Sequence, residues 1–139
     1  MANLEDLVVS GGEEDKKLVG EILEPYVRLD KETCGIRPTD EWDKLSPEKK
    51  IVVYLVARKA MKAMKDLGFD LPVEGAKAGE VVQTTGVKGG TVYPLLRKLL
   101  TEDRLIEQSK DKRYFVPNHA IPKVKDMLSK AKTNKEENG

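Results

Sequence analysis

Histidine and cysteine occur once each in the 139 residues, as His119 and Cys34. A lone thiol cannot close an internal disulfide, so the chain reads as a protein of a reducing compartment. One imidazole and one thiol, far apart in sequence, fall short of the ligand set a zinc ion needs. Neither a metal nor a cofactor is expected. Long apolar runs are also missing. The longest is Ile51 to Ala57, well short of the roughly 18 residues of a membrane span, so no membrane partner is expected. The opening Met1-Ala-Asn-Leu-Glu-Asp has neither the basic start nor the apolar stretch of a secretory signal. A cytoplasmic protein is the expectation. Gly86 to Thr91 is glycine-rich but lacks the Gly-Lys-Ser/Thr ending of a nucleotide-hydrolase phosphate loop. The acidic Asp40, Glu41 and Asp43 suit a helix N-terminus better than an acid/base pair. No catalytic residue stands out, and the chain is not expected to be an enzyme.

Charge is plentiful and unevenly placed. Charged residues make up 35% of the chain and the formal net charge is only +1. Residues 1–46 hold 12 acidic and 6 basic residues; residues 47–139 hold 12 acidic and 19 basic. The near-neutral total hides an acidic first part and a basic remainder. A basic module is the electrostatic footprint of phosphate binding, although lysine-rich helices are also simply well solvated. The length suits one domain with a modest core.

No internal repeat is present. Residues 1–14 read as a loose arm or a short helix stopped by Gly11 and Gly12. Residues 13–24 read as a helix with Leu18, Val19, Ile22 and Leu23 on one face. After Pro25, residues 26–37 fit either a kinked helical continuation or a hairpin with Tyr26–Leu29 and Ile36–Arg37 extended, the hairpin being preferred. Ser46-Pro47-Glu48 is a helix start: serine caps, proline suits the first position, and glutamate complements the dipole. This helix is expected to reach Leu67, stopped by Gly68. Its Ile51–Ala57 stretch is apolar all round and needs cover on several sides, which the N-terminal segment can give. Further along, Ala60, Met61, Ala63, Met64 and Leu67 form the inward stripe, with Arg58, Lys59, Lys62 and Lys65 outward. Trp42 and Tyr54 read as core or interface aromatics.

Beyond a linker with a possible strand at Leu71–Val73, Lys77–Thr84 reads as a short helix. Thr85 to Gly90 reads as a tight turn, and Thr91 to about Glu102 as a second helix. Val92, Leu95, Leu96, Leu99 and Leu100 point in; Tyr93, Arg97, Lys98 and Thr101 point out. The period then changes to two. Leu105–Gln108 and Arg113–Val116 read as strands joined by Ser109-Lys110-Asp111-Lys112. A last helix with Ile121, Val124, Met127 and Leu128 on one face follows.

Gly90-Thr91-Val92-Tyr93-Pro94-Leu95-Leu96-Arg97-Lys98-Leu99 with Leu105-Ile106-Glu107 resembles the recognition-helix signature of PadR-type regulators, and more loosely MarR-type proteins, over about residues 76–117. The resemblance implies an α+β, mostly α, winged helix-turn-helix with an extra N-terminal helical segment and a C-terminal helix. It also implies DNA contacts by Thr91, Tyr93 and Arg97. Residues 1–46 lie outside the resemblance; charge and the all-round apolar helix make them an expected acidic N-terminal extension packing on the core, with the winged domain over 47–131 and a polar, disordered tail over 132–139. The chain departs from the pattern at Arg104, where PadR-type proteins usually carry glycine, and in the length of its last helix.

The chemistry of those residues stands without the family. Gly89 and Gly90 allow close backbone approach to a phosphate, and a helix N-terminus offers free N–H groups and a positive dipole end. Lys88, Gly90, Thr91, Tyr93, Arg97 and Lys98 therefore form the candidate DNA-binding set, with Lys110, Lys112 and Arg113 at the hairpin tip. The expected partner is double-stranded DNA, bound by a transcriptional regulator. A homodimer through the N- or C-terminal helices is a further possibility. The alternative function is a winged-helix adaptor between proteins.

Overall fold

A computed structural model describes the backbone of residues 11–138 and the side chains of residues 16–129. The expectation of a loose arm or short helix over residues 1–14 lies outside the described residues as far as residue 10. The architecture is α+β and mostly helical. Helix α1 (Gly11–Leu23) leads into an antiparallel hairpin of β1 (Val27–Asp30) and β2 (Gly35–Pro38). Then come α2 (Pro47–Ala63), α3 (Ala78–Thr85) and α4 (Gly89–Thr101). A second hairpin of β3 (Glu107–Gln108) and β4 (Tyr114–Phe115) precedes α5 (Ile121–Asn138).

Residues 26–37 adopt the hairpin. Leu29 pairs with Ile36 and Asp30 with Gly35. The turn is closed locally: the Glu32 N–H donates to Asp30 Oδ1 at 2.9 Å, and Arg37 bridges to Asp30 Oδ2 at 3.0 Å. Cys34 takes a left-handed backbone there, at φ 54°. Gly11 and Gly12, expected to stop a segment, are helical and belong to α1.

Helix α2 is the centre of the core. Ser46 caps it by accepting from the Lys49 N–H at 3.3 Å, and Pro47 occupies its first turn. Ile51 through Ala57 are all buried. Helix α1 lies along α2 and α5, burying Val19, Ile22 and Leu23. Its Glu21 meets Lys125 of α5 at 2.9 Å. Trp42, on a short 3₁₀ turn over Asp40–Lys44, is buried in the same core.

Several expectations need correction. The α-helix from Pro47 ends at Ala63; a 3₁₀ turn over Lys65–Leu67 follows, and Gly68 terminates that turn at φ 101°. Ala63 and Leu67 accordingly face solvent, Leu67 with 63% exposure. Arg58, assigned to the polar face, is buried because its guanidinium satisfies backbone carbonyls of the linker. No strand forms at Leu71–Val73; the extended pairing falls at Ala76, which exchanges both backbone hydrogen bonds with Tyr114 at 2.8 and 2.9 Å. Helix α5 also continues to Asn138, through backbone expected to form a tail over 132–139. Lysine, alanine and glutamate there favour helix without marking an apolar stripe. Among the described residues, no helix is long and apolar enough to cross a membrane.

Candidate nucleic-acid interface

Helices α3 and α4 pack on each other and on α2. The first begins where Glu80 Oε1 accepts from the Lys77 N–H at 3.1 Å. It ends where the Thr85 hydroxyl donates to the Val81 carbonyl and accepts from the Val87 N–H. Gly86, at φ 77°, turns the chain. The corner is therefore at Gly86. Gly89 and Gly90, expected to be part of the turn, form the first helical positions of α4 instead, with Lys88 as the preceding residue. Neither has a positive φ. A Cβ at Gly90 would meet nothing within 4 Å, so the glycines leave the helix start bare rather than relieving strain.

Helix α4 buries Val92, Leu96 and Leu99, with Leu95 and Leu100 half-buried. Thr91, Tyr93, Arg97 and Lys98 stay exposed. Tyr93 is 61% exposed. Its ring leans toward the helix start, 3.8 Å from where a Gly89 Cβ would stand. Arg97 lies one turn further along the same face. Pro94, inside the helix, has no N–H for the Gly90 carbonyl, which therefore lacks its helical donor. The Lys88 side chain does not cap the helix. Thus the N–H groups of Gly89 and Gly90 keep the unpaired character of a helix start.

The cations divide into two sets. Lys88, Arg97, Lys110 and Lys112 are exposed and carry no ion pair among the described residues. Lys98 does not join them. Its Nζ lies 3.2 Å from Glu48 and 3.5 Å from Asp103. The hydrogen bond to Glu48, reinforced by the Glu48 and Asp103 charges, holds its ammonium above the usual lysine range. Arg113 is also committed. It pairs with Glu80 at 3.0 Å and Asp111 at 2.9 Å, and donates to the Gly75 carbonyl at 3.2 Å. The hairpin tip is thus Lys110 and Lys112, with Arg113 turned back toward α3.

The hairpin forms within the expected segments, but its strands are two residues each rather than four, with Glu107 opposite Phe115 and Gln108 opposite Tyr114. Its turn is held by the Ser109 N–H on the Arg113 carbonyl at 2.8 Å and by Lys112 in the left-handed region at φ 62°. The Ser109 hydroxyl also donates to Asp111, which, with Arg113, keeps that carboxyl below its ordinary range. Arg104, at φ 53°, redirects the chain from α4 into the hairpin, and the Leu105 N–H returns to the Leu99 carbonyl at 3.0 Å.

Sequence reasoning missed Arg58 and Glu80. Arg58 donates to the carbonyls of Glu74 (2.7 Å), Val73 (2.9 Å) and Gly75 (3.1 Å) and to the Tyr54 hydroxyl (3.2 Å). Glu80 faces both arginines. Its position three residues after Lys77, at the head of a short helix, was the available signal. Among the described residues, no three His, Cys, Asp or Glu side chains cluster as a metal site. No family model, curated protein or solved structure matches the chain.

Proposed function

We propose that the chain is a winged helix-turn-helix protein that binds double-stranded DNA, with the role of a transcriptional regulator. In this reading α3 and α4 are the helix pair. The strands β3 and β4, bridged to Ala76, are the wing. The resemblance of residues 76–117 to PadR-type regulators supports it. The observation that carries it is the exposed face of α4. Tyr93 and Arg97 stand one turn apart on that face, above a helix start that no side chain caps.

A helix of this width enters a major groove, and its bare N-terminus suits a backbone phosphate. Tyr93 and Thr91 add hydroxyl donors, Arg97 reaches base edges or phosphates, and Lys88 adds charge beside them. Lys110 and Lys112 meet the neighbouring backbone from the wing. Lys98 supports the helix from Glu48. No step of this reading is catalytic.

Charge reversal at Arg97 and Lys98 together should abolish duplex binding in a gel-shift titration, while unaltered binding would remove the assignment of α4. The adaptor reading rests on Tyr93, a large exposed ring that would also serve a protein partner. It predicts negligible duplex affinity at physiological salt.

A further inference from the structure

Arg113 has the sequence position of a wing-tip contact, yet its side chain is only 21% exposed. One Nη atom reaches both Glu80 Oε1 at 3.0 Å and the Gly75 carbonyl at 3.2 Å. Gly75 O also accepts from the buried Arg58 at 3.1 Å, and Glu80 Oε2 lies 3.6 Å from Arg58. Two arginines thus converge on one carboxylate and one carbonyl. Through them, four pieces of chain meet: α2, the linker over 73–75, the start of α3, and the returning strand of the second hairpin.

The approach is close. A Cβ on Gly75 would fall 2.8 Å from Arg113 Cβ and 3.4 Å from the Tyr114 carbonyl. Only a residue without a side chain fits there. Immediately beside this point, Ala76 and Tyr114 exchange their two backbone hydrogen bonds. The hairpin's own ladder is two residue pairs long, too short to fix its direction unaided. The charged knot is therefore the feature best placed to hold the hairpin at one angle to α3 and α4.

We infer that Glu80 and Arg113 are positioning residues for nucleic-acid binding: they aim the wing so that Lys110 and Lys112 reach phosphates flanking the groove occupied by α4. This rests on the DNA-binding reading. Arg113 acts through the lysines and does not itself touch DNA. The same geometry gives Glu80 a role opposite to its charge. Removing an acid beside a polyanion site strengthens binding on electrostatic grounds alone. Removing the acid that aims the wing weakens it.

That opposition of sign is the test. Full-length Glu80→Ala and Arg113→Ala are compared with wild type and with the tip double variant Lys110→Ala, Lys112→Ala. Binding to a random duplex is measured across salt concentrations, and amide hydrogen exchange is measured on the free proteins. Glu80→Ala should bind more weakly than wild type. Its salt slope should fall by about 2, matching loss of two phosphate contacts. It should have no further effect when added to the tip double variant.

In the free protein, the Ala76 and Tyr114 amides should exchange about tenfold faster in both Glu80→Ala and Arg113→Ala, while those of Val53 and Leu55 in α2 stay unchanged. Glu80→Ala binding as tightly as wild type, or more tightly, overturns the inference. So does a loss that adds fully to that of the tip variant. Should wild type bind no duplex, the DNA-binding reading fails, and the wing-aiming role fails with it. The exchange rates then still decide whether the knot holds the hairpin: unchanged rates would show that it does not.

Discussion

Lys98 and Glu48 stand fifty residues apart in the chain, and Lys98 Nζ lies 3.2 Å from each of the two Glu48 carboxylate oxygens. The pair ties the second half of α4 to the first turn of α2. Arg97, the preceding residue, faces solvent with no ion pair among the described residues. Two adjacent cations that look equivalent in sequence therefore have different work.

Their single variants should separate. Arg97→Ala should weaken duplex binding and lower the salt slope by about 1, with the thermal midpoint unchanged. Lys98→Ala should leave that slope nearly intact and cost about 0.5 kcal/mol of stability, since solvent and salt screen a pair this exposed. Binding titrations and urea unfolding on both variants check the division. Equal loss of binding by the two would refute it.

Arg58 should be the most costly polar residue to remove. Its buried guanidinium serves three linker carbonyls. Arg58→Met keeps much of the side-chain volume but strands those acceptors. A loss of about 3 kcal/mol in urea unfolding is expected. A loss below about 1 kcal/mol would mean the linker re-forms without it.

Arg104 holds a left-handed backbone at φ 53°, which glycine adopts without steric penalty. Arg104→Gly should stabilise the protein by about 0.5 kcal/mol, after the extra entropy of glycine in the unfolded chain is offset. The thermal midpoint would rise slightly. A fall would show that the Arg104 side chain makes a contribution exceeding the strain.

The tie between α1 and α5 should respond to acid. Hydrogen bonding to Lys125 holds the Glu21 carboxyl below its ordinary range. A carboxylate lowered on folding contributes stability above its unfolded value, about 4.3. That contribution disappears as pH falls through the lower folded value. Unfolding stability followed from about pH 5 to pH 3 should decline less steeply in Glu21→Gln than in wild type. Identical slopes would mean the Glu21–Lys125 contact is absent in solution.

Much of this architecture is legible in the residues. Ser46-Pro47-Glu48 marks the start of α2 through capping chemistry, and the apolar girdle from Ile51 to Ala57 signals burial on several sides. The change to period two after Leu105 locates the second hairpin. What escapes is what depends on distant partners. Arg58 reads as solvent-facing because the carbonyls that bury it belong to residues 73–75. Gly89 and Gly90 read as a turn because their intrinsic helix propensity is poor, yet packing of Val92 and Leu96 carries the helix back through them. For the candidate site, the outward face of α4 is evident from its apolar stripe. The diversion of Lys98 and Arg113 to Glu48 and Glu80 is not, since both partners are supplied by the fold.

The measurement closest to the central claim is the salt dependence of duplex binding by the full-length protein. With Lys88, Arg97, Lys110 and Lys112 as the unpaired cations of the proposed face, the plot of log affinity against log salt should have a slope of roughly −3 to −4. A flat plot, or no binding to duplex even at low salt, would contradict the account.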